Sequence, residues 1–141
     1  MQKIAVDYDF NVPVERAFAF LAEHENLSAL FPAKITRLKD GDDGTRNGVG
    51  SVRQLRIAVL PPFEETNTTV VPNELIEYRI TKGSPLRGHR GKMVFTERPG
   101  GGSHLRYEIE FGAVVPGLDV VIAKALQSGI KKGLPKVDKL A

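Results

Sequence analysis

Along residues 2–10 apolar and polar side chains alternate, with Ile4, Val6, Tyr8 and Phe10 on one parity and Lys3, Asp7 and Asp9 on the other. A period of two belongs to a strand with one buried face. At Pro13 the period changes. Proline suits the first turn of a helix, where its missing N–H would have no partner, and Ala17, Phe18, Leu21 and Ala22 then recur at helical spacing. Asn26 is placed to cap a second, shorter helix whose Leu27, Leu30 and Phe31 share a face, and Pro32 ends it.

A short strand is predicted around residues 33–39, followed by the turn-forming segment DGDDGTRNGVG. In SVRQLRIAV, Leu55, Ile57 and Val59 share a face, and Pro61 and Pro62 end the run. FEETNTTVV is rich in β-favouring threonine and valine. ELIEYRIT sets Ile76, Tyr78 and Ile80 against Glu77 and Arg79. The segment HRGKMVFTERPGGGSHLRYEIEF reads as a hairpin. Met93 and Phe95 lie on one face of its first arm, and Leu105, Tyr107, Ile109 and Phe111 alternate with Arg106, Glu108 and Glu110 on its second.

From Gly117 the period is helical again, with Leu118, Val121, Ile122, Ala125, Leu126, Ile130, Leu134 and Val137 on one apolar face. This pattern predicts a helix over residues 117 to about 134, buried along Val121, Ile122, Ala125 and Leu126, with Pro135 bending or loosening its last turns. The order is strand, two short helices, six strands and a long helix, an α+β plan. An antiparallel sheet with one apolar face needs a cover, and the final helix is the only element long enough to supply it.

At 141 residues the chain is expected to be one domain, 1–141, large enough to bury a core without metals or disulfides. It contains no cysteine, which excludes a disulfide framework, a thiolate nucleophile and a cysteine zinc site. The opening MQKIAVDYDFNVP lacks the apolar core of a signal peptide. No run approaches the roughly 20 apolar residues of a membrane span, so the chain reads as a soluble, cytoplasmic protein without integral membrane association. The net charge is +3, and the basic excess lies mainly in Arg87, His89, Arg90 and Lys92 and in Lys124, Lys131, Lys132, Lys136 and Lys139. Without interleaved aromatics to stack bases these form a solvated face, and no nucleic-acid partner is expected.

Taken together, VPVERAFAFLAEHENLSALF, GVGSVRQL, ELIEYRI and the hairpin followed by the terminal helix resemble the polyketide cyclase/dehydrase and lipid-transport family of the START-like (SRPBCC) superfamily, which includes the major birch-pollen allergen. The resemblance covers nearly the whole chain. It implies a helix-grip fold, in which a curved seven-stranded antiparallel sheet wraps the last helix, two short helices close one end and a cavity lies between. It also implies a small hydrophobic ligand, such as a lipid or polyketide, and in a minority of members aromatisation or cyclisation.

Other motifs fall away on inspection. His24-Glu25 begins like a metalloprotease helix, but Ser28 stands where the second histidine belongs, and no metal site is expected. GVG lacks the third glycine of a dinucleotide fingerprint, GGGSH lacks the lysine of a phosphate loop, and Ser103 lacks the glycine of a nucleophile elbow. No cofactor is called for.

Arg53 shares parity with Leu55 and Ile57. Two roles fit it: bidentate orientation of a ligand carboxylate or enolate, or a structural ion pair with Glu65 on the neighbouring strand. Tyr78 and His89 fall on the apolar parity of their strands, where each is either a packing group or an acid, base or carbonyl-polarising donor. His104, at the hairpin tip, is expected to be exposed. Gly129 and Gly133, four apart on the last helix, each cost on the order of 1 kcal/mol relative to alanine. A cavity wall explains that cost, as does a backbone approach or a loosened helix end.

The expected function is non-enzymatic binding or transport of a small hydrophobic ligand by a monomer or weak homodimer. Its pocket would be lined by Arg53, Leu55, Ile57, Tyr78, His89, Met93, Phe95, Tyr107, Ile122 and Leu126. The alternatives are a cofactor-independent polyketide cyclase or aromatase using Arg53, Tyr78 or His89, and a protein-interaction or stress module with a vestigial cavity.

Overall fold

The computed structural model describes residues 1–57, 61–84 and 86–141. In chain order it contains β1 (Gln2–Phe10), α1 (Val14–Ala22), a 3-10 helix (His24–Ala29), β2 (Lys34–Lys39), β3 (Val52–Arg56), β4 (Phe63–Val71), β5 (Leu75–Lys82), β6 (Leu86–Glu97), β7 (Ser103–Ala113) and α2 (Leu118–Leu140). The seven strands form one antiparallel sheet in the order β1-β7-β6-β5-β4-β3-β2. Strand order follows chain order except at β1, which closes on β7. Val59 lies outside the described residues.

The strict alternation of β7 works as its pattern predicts. Leu105, Tyr107, Ile109 and Phe111 are buried together with Ile4, Val6 and Phe10 of the paired β1, and this inner face packs on α1, the 3-10 helix and α2. One inner-face position is glycine for a local reason. Gly91 pairs with Tyr78, and a Cβ at Gly91 would enter the Tyr78 ring, 2.6 Å from its hydroxyl oxygen.

Several local expectations need correction. Pro13 is not inside α1 but just before it, extended, with its carbonyl accepting from Arg16 and Ala17. Asn26 does not cap the second helix. It sits within the 3-10 turn and its Nδ2 donates to the Phe20 carbonyl at 3.0 Å, tying the turn back to α1.

The last helix does not loosen at Pro135. It continues to Leu140, because Leu134 and Val137, on either side of the proline, are fully buried and Asp138 accepts hydrogen bonds from Asn11 at the end of β1. Packing on both flanks outweighs one lost backbone bond. The buried part of α2 is also displaced from expectation. Ile130, Leu134 and Val137 are solvent-free, whereas Val121 is 65% exposed, Ala125 is exposed and Ile122 and Leu126 are half-buried.

Gly129 and Gly133 explain that asymmetry. They face the 3-10 helix rather than a cavity: a Cβ at Gly129 would lie 2.7 Å from the Leu30 carbonyl oxygen, and one at Gly133 would strike the Ala29 carbonyl and come within 2.8 Å of Leu30 Cδ2. The two glycines let α2 seat directly on the backbone of the clipped turn. Gly133→Ala is therefore expected to destabilise the fold by up to roughly 2 kcal/mol, an overpacking cost of roughly 1–3 kcal/mol offset in part by the roughly 1 kcal/mol that alanine gains in helix propensity. A raised urea midpoint in this variant would overturn the close-approach argument.

Candidate functional site

Two depressions mark the described surface. The larger, about 450 Å³, crosses the outer face of the sheet between Lys3, Glu77, Arg79, Arg90, Lys92, Glu108 and Glu110. Its charges alternate in register, with Arg90 beside Glu110 and Lys92 beside both Glu108 and Glu77. Lys3 reaches Glu108 at 3.8 Å across this ladder, and opposite charges set side by side on a sheet face stabilise it modestly.

The smaller lies inside, between the concave face of the sheet and the amino-terminal half of α2. It is a cavity of about 170 Å³ whose walls are overwhelmingly apolar, lined by Phe31, Pro32, Leu55, Ile57, Pro61, Phe63, Glu65, Tyr78, Ile80, Ser84, Leu86, His89, Ile109, Ile122, Ala125 and Leu126. It exists because α2 is gripped at its far end, while Ile122 and Leu126 meet the strands across an open space.

Of the residues expected to line a pocket, Leu55, Ile57, Tyr78, His89, Ile122 and Leu126 do so. Arg53, Met93, Phe95 and Tyr107 are not among the described lining residues. Phe95 packs edge-on against Phe18 of α1 at 5.3 Å and Tyr107 against Phe31 at 6.4 Å, so these side chains fill the gripped end of the core. Glu65, expected only as an ion-pair partner, also stands in the cavity wall; its register opposite Arg53 and Ile80 puts it on the inner face, and its side-chain placement brings it to the cavity.

Arg53, 2% exposed, is held behind the wall. Its Nε donates to Glu65 Oε1 at 2.9 Å, its Nη1 reaches Asn67 Oδ1 at 3.4 Å, and its guanidinium sits 4.6 Å from the centre of the Tyr78 ring. This is the structural ion pair rather than a free ligand clamp. The Tyr78 hydroxyl bonds to that of Tyr107. Burial raises both phenols well above their ordinary range, so they stay protonated.

His89 is oriented by a gap in the sheet. The β5–β6 ladder ends at the Tyr78–Gly91 pair, and beyond it the Ile80 N–H donates to His89 Nδ1 at 3.2 Å. The ring therefore carries its proton on Nε2, which points toward Glu65 Oε2 at 3.8 Å. Burial lowers the His89 pKa, with Glu65 opposing and the Arg53 charge adding to the effect.

A second polar group adjoins the first. Asn67, bonded to Arg53, lies 3.4 Å from the Nε2 of fully buried His24. The Ser51 hydroxyl gives its proton to the Gly48 carbonyl at 2.6 Å, and His24 Nε2 is hydrogen-bonded to Ser51 Oγ at 3.0 Å. Burial, reinforced by Arg53 and Arg37, brings the His24 pKa down to about 3.

The sign of the resulting pH dependence follows. A depressed histidine leaves the unfolded chain binding more protons, so stability is complete above about pH 6.5 and is lost as pH falls toward 3. His89 acts in the same direction. His104 acts oppositely: hydrogen-bonded to Asp9 at 2.6 Å and Asp7 at 3.0 Å, its pKa is raised, and its contribution is lost as pH rises. Urea midpoints measured from pH 7 to pH 4 are expected to fall, and to fall less steeply in His24→Gln. An unchanged slope in that variant would contradict the assignment.

Among the described residues no cluster of three or more His, Asp or Glu side chains is arranged to hold a metal, and no helix is long and apolar enough to cross a membrane.

Fold and sequence agree on the kin of this chain. It belongs to the polyketide cyclase/dehydrase and lipid transport family, whose sequence profile matches residues 1–141. Among solved structures it is similar to norcoclaurine synthase from Thalictrum flavum in complex with dopamine and hydroxybenzaldehyde, with a TM-score of 0.73 at 10% identity over 99% of this chain and 85% of that one. It is also similar to the Zhui aromatase/cyclase from a Streptomyces species, with a TM-score of 0.65 at 16% identity over 96% and 86% of the two chains. A third similar structure is a protein of uncharacterised role from Bacillus thuringiensis, with a TM-score of 0.72 at 13% identity over 99% and 98%. No curated protein matches at a significant level. At these identities the likeness is one of fold.

Proposed function

We propose that this chain binds a small, largely apolar molecule in the cavity between the sheet and α2. The observation that carries the reading is the composition of that wall: a largely apolar lining interrupted by Glu65, Tyr78 and His89, the pattern of sites that hold apolar ligands and orient them with few polar groups. Membership of a family that includes lipid transport supports it. Native mass spectrometry of protein purified from its own host, followed by extraction, tests it. A stoichiometric small organic molecule is expected; a chain that is always empty and takes up no apolar probe would refute the reading.

A second reading, cyclisation of an enolisable chain, is favoured by one observation, the carboxylate of Glu65 beside an imidazole with its proton on Nε2. Turnover separates the two. A binding protein should show affinity changes below about 1.5 kcal/mol for His89→Ala and Tyr78→Phe. An enzyme should lose roughly 10²-fold or more in rate while binding persists.

A further inference from the structure

The polar end of the cavity presents two atoms without hydrogen bonds among the described residues. Glu65 gives Oε1 to Arg53, and its Oε2 stands 3.8 Å from His89 Nε2, too far for a direct bond. His89 Nδ1 is already committed to the Ile80 N–H, so Nε2 can only donate. Both side chains are more than nine-tenths buried, at 8% and 5% exposed. The cavity thus offers one acceptor and one donor side by side.

The choice of ligand group follows from that pair. A carboxylate would bring a second negative charge against Glu65, while the nearest buried cation, Arg53, is already held by Glu65 and does not border the cavity. An ammonium would suit Glu65 but oppose the donor of His89. A hydroxyl answers both with a single atom: an oxygen about 2.8 Å from each partner, an ordinary bond length, closes a triangle on the 3.8 Å base. The remaining volume limits what carries it. An apolar cavity of roughly 150 Å³ accommodates benzene, and this one is about 170 Å³.

We infer that the cavity takes a compact alcohol or phenol of single-ring size, whose hydroxyl donates to Glu65 Oε2 and accepts from His89 Nε2 while its ring fills the space beneath Ile122 and Leu126. This names the ligand class of the binding role proposed above and rests on it. A hydrocarbon of equal size strands both polar atoms, and sites built for a hydroxyl reject analogues that lack one.

Calorimetric titration of the full chain with phenol, toluene and benzoate tests the inference. Phenol is expected to bind roughly tenfold or more tightly than toluene, the scale of one charge-assisted hydrogen bond, with benzoate weakest. In Glu65→Gln, which keeps an oxygen for Arg53 but replaces the acceptor by an amide N–H, the preference for phenol over toluene should fall to near parity. The wild-type series decides the matter even if that variant does not fold. Toluene binding as tightly as phenol, or benzoate binding tightest, would overturn the hydroxyl assignment and leave the cavity-binding role standing. Absence of binding by all three would overturn both.

Discussion

Glu65→Leu is expected to lower the free energy of unfolding by about 3–5 kcal/mol, the usual consequence of stranding one member of a buried ion pair. Arg53 is 2% exposed, and its only close counter-charge among the described residues is Glu65 Oε1 at 2.9 Å. Asn67 Oδ1 at 3.4 Å and the face of Tyr78 are dipolar and quadrupolar partners, and Nη2 has no hydrogen bond among the described residues. Without Glu65 the buried guanidinium loses the anion that compensates its desolvation. The double variant Arg53→Met, Glu65→Leu should recover most of the loss, since an apolar pair of similar volume removes both desolvation costs. Urea denaturation at pH 7 measures both. A single-variant loss below about 1 kcal/mol, or no recovery in the double variant, would show that the pair does not carry this part of the core.

Leu134→Ala is expected to cost about 2–5 kcal/mol, and Ile122→Ala distinctly less. Leu134 is fully buried against the seat formed by α1, the 3-10 helix and β1, and no neighbour can close the space its removal leaves. Ile122 is half-buried and already borders an open cavity, so truncating it enlarges a void rather than creating one. Equal losses at the two positions would mean that α2 is packed uniformly along its length, contrary to the burial seen.

The contrast between these residues shows what the sequence could convey. Where alternation was clear it located the buried face, because period two leaves no choice of side once one face is apolar: Tyr78, Met93 and Tyr107 are buried as their parity requires. Helical periodicity found the apolar stripe of α2 but not which stretch of it is covered, since Val121 and Leu134 look alike in sequence and differ only in what stands opposite. Pro135 read as a terminus because its local cost is visible, whereas the contacts of Leu134 and Asp138 that offset it come from distant parts of the chain.

In the candidate site, the pairing of Arg53 with Glu65 followed from strand adjacency. Which of the two reaches the cavity depended on side-chain placement, and it is Glu65. Met93 and Phe95 share the inner face but lie toward α1, because the face is long enough to serve both a filled core and an open space.

The seat of α2 on Gly129 and Gly133 also acts as a fulcrum. From Gly129 back to Leu118 the helix is an arm of roughly 16 Å, and a tilt of about 5° around the glycines swings its tip by roughly 1.4 Å. Such a swing would shift Ile122, about 10 Å from Gly129, by roughly 0.9 Å, and Ile130, beside the seat, scarcely at all. Leverage of this kind would let the volume above Glu65 and His89 swell or shrink to suit its occupant while the contacts at the two glycines stay in place.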